Sequence, residues 1–327
     1  SISDGASMEG EAKEAFAAIP GLAVRGKLAP FVMIVSDNNT KLGGRIDKDA
    51  FSMHPTFASL ETLGWNVIKL EKGNDLTEAL HSIEKALTTV DAKKPIAIWA
   101  KTVKGYGVKS TADSSSGGHG FPLKAHDDGI TAFMEEIWGN KNLPAEFISW
   151  AKELTVKPEK KASAGPAKDK IQIGVSKALT KAAKEGLPVF SLSSDLAGST
   201  GLKAFHTDCP EHFQDVGVAE SNMVSAAAGM AKAGFIPVVD TFAAFGITKG
   251  NLPLIMASLS ECPVIAVFSH TGFQDAADGA SHQSLTYMSA LASIPNTVLV
   301  NLATAKEAEE YVYQAVKEIA AMREAGQ

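Results

Sequence analysis

Two segments far apart in the chain carry residues able to do chemistry. Near the start, Asp4 and Gly5 precede Asn38 by about thirty residues, and Asn38 stands in the run Ser36-Asp37-Asn38-Asn39-Thr40. Asp4, the Asn38 side chain and a main-chain carbonyl near Thr40 are hard oxygen donors. Mg²⁺ prefers such a set, with one or two carboxylates completed by phosphate oxygens and water. Gly5 lets the backbone approach a phosphate with no Cβ in the way. Much later, Glu220 is an isolated carboxylate opening the alanine-rich stretch 219–234, AESNMVSAAAGMAKAG. A carboxylate in that position can be held against a nitrogen heterocycle.

A diphosphate on a divalent metal and a heterocycle facing a carboxylate suggest one cofactor, thiamine diphosphate. The elements that must position these residues read as parallel α/β structure. Residues 31–35 (FVMIV) form an apolar run that predicts a buried strand ending at Asp37-Asn38-Asn39. Open parallel sheets place their ligands at such carboxyl edges. Residues 187–192 (LPVFSL), 236–240 (IPVVD) and 263–268 (PVIAVF) predict further strands, with helices between. The helix opened by Glu220 is predicted to close at Gly234. Strands alternating with amphipathic helices give the class α/β, with two parallel-sheet domains. The stretch 156–170, VKPEKKASAGPAKDK, has no apolar period and predicts a linker. It divides domain 1–155 from domain 171–327.

The chain of 327 residues is 45% hydrophobic, enough for two sizeable cores. A net charge of −6 with scattered lysines argues against nucleic acid as a partner. No apolar span of membrane length stands out, so no membrane partner is expected. Cys209 and Cys262 lack metal-ligand spacing, and reduced thiols of this kind fit a cytoplasmic protein.

Asp4-Gly5, Glu9-Gly10 and the Asn38 strand end resemble the thiamine diphosphate motif of transketolases, with Ser3 where the family has its leading glycine. The resemblance continues in Gly118-His119-Gly120-Phe121-Pro122-Leu123, in Ser194-Asp195-Leu196-Ala197-Gly198-Ser199, in Thr241-Phe242-Ala243-Ala244-Phe245, and in Asp278-Gly279 with His282-Gln283. It implies a diphosphate-binding domain and a pyrimidine-binding domain, with Mg²⁺ or Ca²⁺ on Asp4, Asn38 and the Thr40 carbonyl. Gly5, Glu9, Asp195, Phe242 and Phe245 are implied at the cofactor, Phe245 most directly at the pyrimidine ring. Thr248 replaces a third aromatic there. Glu220 is implied to favour the imino tautomer of the pyrimidine and so the cofactor ylid, with His119 and His282 as further catalytic residues. His270, Asp278 and Ser199 are implied to face the sugar or its phosphate. Glu9 and Glu14 match carboxylates that link the two active sites of a dimer.

The implied activity is transfer of a two-carbon ketol unit from a ketose phosphate to an aldose phosphate, in a homodimer with active sites at its interface. Two alternatives stay open: an enzyme like deoxyxylulose-phosphate synthase, with pyruvate as donor, and a cofactor-binding fragment or subunit without turnover. The family has sequence before Asp4 and after the final helix, 305–323. Both domains are therefore expected to be incomplete, with a complementary chain as one source of the missing strands.

Overall fold

The structure, a computed structural model, describes residues 1–119, 123–139, 142–157, 170–273, 275 and 278–326. Two compact units divide the chain, Ser1–Lys48 with Ser52–Pro166 and Ala167–Gln327 with Asp49–Phe51. Each contains a four-stranded parallel sheet with helices, the expected α/β class. The division falls inside the predicted linker, of which residues 158–169 lie outside the described residues.

In the first unit the strands are β1 (Ile2–Ser3), β2 (Val32–Asp37), β3 (Asn66–Leu70) and β4 (Ile96–Lys101), in the order β1-β2-β4-β3. β4 is buried along Ile96, Ala97, Ile98, Trp99 and Ala100, as a near-continuous apolar run predicts for a central parallel strand. Ile96, Ile98 and Ala100 pack with Leu70 of β3 and with Ala86 of helix Leu76–Thr89. Trp99 points the other way, against Phe57 and His54 of helix His54–Leu63. Helix Gly10–Val24 contains Pro20, which has no N–H to give the carbonyl of Phe16. The Trp65 indole donates to that carbonyl instead, at 2.8 Å. The proline thus becomes the point at which helix and sheet are joined.

The second unit orders β5 (Val189–Ser193), β6 (Phe213–Asp215), β7 (Ile236–Phe242) and β8 (Ile265–Ser269) as β6-β5-β7-β8. Every residue of β7 is buried. Ile236 and Val238 face helices Gln172–Lys184 and Ala305–Glu324, whose Val175, Leu179, Val312 and Val316 complete that core. Val239 faces the opposite layer, with Met223, Val224 and Ala227 of helix Glu220–Lys232. That helix ends one residue earlier than its glycine suggests: Ala233 is the cap, and Gly234 follows in the left-handed region at φ 101°.

The close approach of helices Gln172–Lys184 and Ala305–Glu324 depends on Gly174, since a Cβ there would meet the Ala305 carbonyl oxygen and come within 2.8 Å of the Glu309 amide. Alanine favours a helix interior over glycine by up to about 1 kcal/mol. Overpacking a tight contact costs about 1–3 kcal/mol. Contact should win, so G174A is expected to lower the melting temperature by several degrees. An unchanged or higher melting temperature would contradict this packing.

Two buried groups in the second unit set opposing pH limits. Burial raises the Asp240 carboxyl from its ordinary 3.8 to about 7. The native state therefore keeps a proton that the unfolded chain releases, and stability falls as pH rises from about 4 to 7. His206 is stacked on Phe213 at 3.4 Å and bonded to Ser191, and burial pushes it down from 6.5 to about 3. It contributes stability that is complete above 6.5 and is lost as pH falls toward 3. Chemical denaturation across pH 4–8 should show D240N gaining stability relative to the parent as pH rises, and H206Q lacking the acid limb. Parallel curves for parent and D240N would refute the assignment.

Candidate functional site

In the first unit, Asp4 follows β1 directly and its amide donates to the Ser36 carbonyl of β2 at 3.1 Å. Asp4 is fully buried. Its Oδ1 accepts the Gly5 amide at 2.9 Å, and its Oδ2 accepts the amides of Asn38 at 2.8 Å and Asn39 at 2.5 Å. Two successive amides reach one oxygen because Asn39 takes the left-handed conformation, φ 56°, which asparagine tolerates. The Asn39 side chain locks the turn by exchanging hydrogen bonds with Asp47, at 2.7 and 3.0 Å. Burial pushes the Asp4 pKa up, the three amides oppose it, and the neighbouring Asp37 adds to the rise.

Beside Asp4, the Asn38 side-chain oxygen is buried with no hydrogen-bond partner. Leaving such an acceptor unsatisfied costs about 1–3 kcal/mol. Thr40 is buried too, its hydroxyl donating to the Asn38 carbonyl at 3.0 Å and accepting from Arg45 at 2.7 Å. Its carbonyl oxygen lies 3.6 Å from where a Gly5 Cβ would stand. Among the described residues no group of three His, Cys, Asp or Glu side chains is placed to hold a metal. A cation here would instead be met by one carboxylate, one carboxamide oxygen and one main-chain carbonyl. That donor set suits a hard divalent ion that keeps phosphate and water ligands.

Arg45, which sequence reasoning did not single out, joins this turn to another loop. It donates to the carbonyls of Ala112 and Ser114, at 3.0 and 2.7 Å. Ser114 in turn accepts the Gly118 amide at 2.6 Å, one residue before His119, which is exposed. Gly120, Phe121 and Pro122 of the same motif lie outside the described residues. Glu9 is half-buried and caps helix Gly10–Val24, while Glu14 is exposed on it.

The second unit gathers its residues at the C-terminal ends of β5, β7 and β8. Glu220 is the first residue of its helix and only 3% exposed. Ser194, just after β5, holds the turn into that helix: its hydroxyl donates to the Gly217 carbonyl at 2.8 Å and accepts the Ala219 amide at 2.9 Å. Thr241 of β7 donates to Glu220 Oε1 at 3.5 Å. The next residue, Phe242, is the centre of a ring cluster. It stacks on His270 at 4.0 Å and lies nearly parallel to Phe245 at 5.9 Å, and His282 meets Phe245 edge-on at 5.1 Å. Four predicted site residues are thus brought into one cluster.

His270 follows β8 with φ 56° and shares a 2.8 Å hydrogen bond with Ser269. Burial lowers its pKa, Asp275 and Asp278 oppose that, and His282 adds to the lowering. Gly272 and Ser284 exchange two main-chain hydrogen bonds, at 2.7 and 3.2 Å, which close the loop carrying Asp278 and His282. Asp278 is exposed. Asp195 is buried with φ 62°, and Ser199 is exposed on the short helix Ala197–Thr200. Sequence reasoning missed Ser194, Thr241 and Asp240, whose hydroxyl and carboxyl partners appear only when the strand ends are brought side by side.

Comparison with known proteins finds two family models that together span nearly the whole chain and overlap at residues 170–184. The family model described as transketolase, thiamine diphosphate binding domain, matches residues 1–184, and that described as transketolase, pyrimidine binding domain, matches 170–325. Transketolase-like protein 2 of Mus musculus is 32% identical over 263 residues, covering 78% of this chain and 41% of its own length. The transketolase of Geobacillus stearothermophilus is 27% identical over 354 residues, covering 93% and 51%. The crystal structure of the Campylobacter jejuni transketolase is 23% identical with a TM-score of 0.43, covering 96% of this chain and 54% of that one. The chain thus spans about half the length of the curated relatives it matches. Since the first of the two family models alone accounts for more than half of the residues, the chain belongs to the transketolase family.

Proposed function

We propose that the protein binds thiamine diphosphate with a divalent cation and uses it to move a two-carbon ketol unit from a ketose phosphate to an aldose phosphate, as a homodimer. The observation that carries this reading is the buried Asn38 oxygen, partnerless beside a buried carboxylate at a strand end. Asp4, Asn38 and the Thr40 carbonyl would hold the cation, and Gly5 leaves room for the diphosphate.

Glu220, Phe242 and Phe245 would hold the pyrimidine. When bound, thiamine diphosphate supplies a nucleophilic carbon and a sink for the electrons of a broken C–C bond. Glu220, buried at the head of its helix, would hold a proton at the pyrimidine ring nitrogen. Phe242 and Phe245 would wall the ring and exclude water. The lowered pKa of His270 keeps its imidazole neutral near pH 7, able to accept or donate one hydrogen bond at a sugar hydroxyl. Asp278 accepts from a second hydroxyl, and His282, fixed at its Nδ1 by Ser281 at 2.9 Å, offers its other nitrogen. His119 and Ser199 would contact phosphate groups, and Asp195 and Glu9 would orient the groups around the cofactor.

Calorimetric titration with thiamine diphosphate and Mg²⁺ tests the cation site. Saturable binding is expected, abolished by EDTA and weakened at least tenfold, or about 1.4 kcal/mol, in N38A. Binding indifferent to EDTA, or undiminished in N38A, would dismiss the assignment. For the second half-site, E220Q should lower ketol transfer by roughly 10²–10⁴-fold, the range for loss of a positioned proton-transfer group. Cofactor affinity should change far less, and an undiminished rate would remove Glu220 from the mechanism.

A further inference from the structure

Asp240 is a buried carboxylate to which the reading above gives no task. It lies on β7 beside Ser193 of β5 and is fully buried. Its Oδ2 accepts two hydroxyl hydrogen bonds, from Ser193 at 2.9 Å and from Thr200 at 2.6 Å. Those donors are the two ends of one loop. Between them the chain passes through Ser194, Asp195 in the left-handed conformation, Leu196, and the short helix that carries Ser199. Within the loop the Ser194 hydroxyl is tied to Gly217 and Ala219, at 2.8 and 2.9 Å, while the amides of Ser199 and Thr200 both donate to the Leu196 carbonyl at 2.9 Å.

A carboxyl group is a costly filler for a buried position whose only donors are two hydroxyls. An apolar side chain would pack there without leaving an oxygen unsatisfied, yet Asp240 Oδ1 is buried with no partner. What the carboxyl group does, and an apolar one cannot, is accept from both ends of the loop at a single atom. Protonation at Oδ1 leaves Oδ2 free to accept both hydroxyls. The arrangement therefore does not depend on the charge of Asp240 or on its neighbour Asp215.

We propose that Asp240 is a positioning residue that clamps the loop 193–200 at both ends and so sets where Ser199 stands for the phosphorylated end of a sugar ligand. The ligand part of this inference rests on the function proposed above; the clamp does not. Phe242 sits two residues beyond Asp240 on the same strand, so the clamp also ties the loop to the strand that carries the ring cluster.

Amide hydrogen exchange on the full chain, paired with titration of fructose 6-phosphate and of fructose, tests both parts. D240A should speed exchange in residues 195–200 about tenfold while β2 and β4 stay protected. T200V, which removes one hydroxyl and little volume, should do the same to a smaller degree. D240N keeps an oxygen acceptor and should exchange like the parent. Affinity for fructose 6-phosphate should fall about tenfold in D240A and recover in D240N, with that for fructose unchanged. Unchanged loop exchange in both D240A and T200V would overturn the clamp. A loosened loop with undiminished fructose 6-phosphate binding would overturn its role in positioning the ligand. A parent that binds no fructose 6-phosphate would overturn the ligand part and the functional reading together, while the exchange result still decides the clamp.

Discussion

A carboxylate taken out of water must be met by donors, a cation or a proton, or the fold loses several kcal/mol. This protein buries such groups at the C-terminal ends of its parallel strands: Asp4 after β1, Glu220 at the helix following β6, and Asp240 near the end of β7. The placement follows from the architecture. Strands covered on both faces leave their carboxyl edges as the place where polar side chains and chain turns meet. Much of the local structure can be understood as the means by which each of these buried carboxylates finds at least one donor.

The partners differ between the units. Around Asp4 they are main-chain amides, delivered by a turn that needs Asn39 at positive φ and its side-chain ties to Asp47. Lys101 and the Trp99 indole perform a similar task for Asp37, one residue back on β2. In the second unit the partners are hydroxyls: Thr241 for Glu220, Ser193 and Thr200 for Asp240, with Ser194 fixing the entry to the Glu220 helix. A hydroxyl both donates and accepts, so one serine can close a turn and satisfy a strand end together.

Strand composition and spacing made much of this legible in the sequence. The apolar runs before Asp37 and Ser193 identified the sheets, and the isolation of Glu220 at the head of an alanine-rich helix marked it among the acidic residues. Boundaries moved by at most two residues, partly because polar residues such as Ser36 and Asp37 continue β2 once β4 lies beside them. The ring cluster was legible as a set of residues but not as an arrangement. Nothing in the spacing of Phe242, Phe245, His270 and His282 says that one phenyl ring stacks on an imidazole while another meets one edge-on. Pro20 is a sharper case. In sequence a proline argues against a helix interior, yet here Trp65, well downstream, gives the Phe16 carbonyl the hydrogen bond that the ring removes. Long-range partners of this kind have no local signal.

The contrast between amide and hydroxyl donors also divides what sequence change can reach. The donors around Asp4 belong to the backbone, so most substitutions at Asn38 or Asn39 would alter the turn but leave three N–H groups in the chain. Hydroxyl donors to Glu220 and Asp240 belong to Thr241, Ser193 and Thr200, each removable by one substitution with little change of volume. The first unit therefore holds its carboxylate through conformation, and the second through residue identity. A protein of this design can keep the turn around Asp4 constant while the surroundings of Glu220 and Asp240 change one hydroxyl at a time.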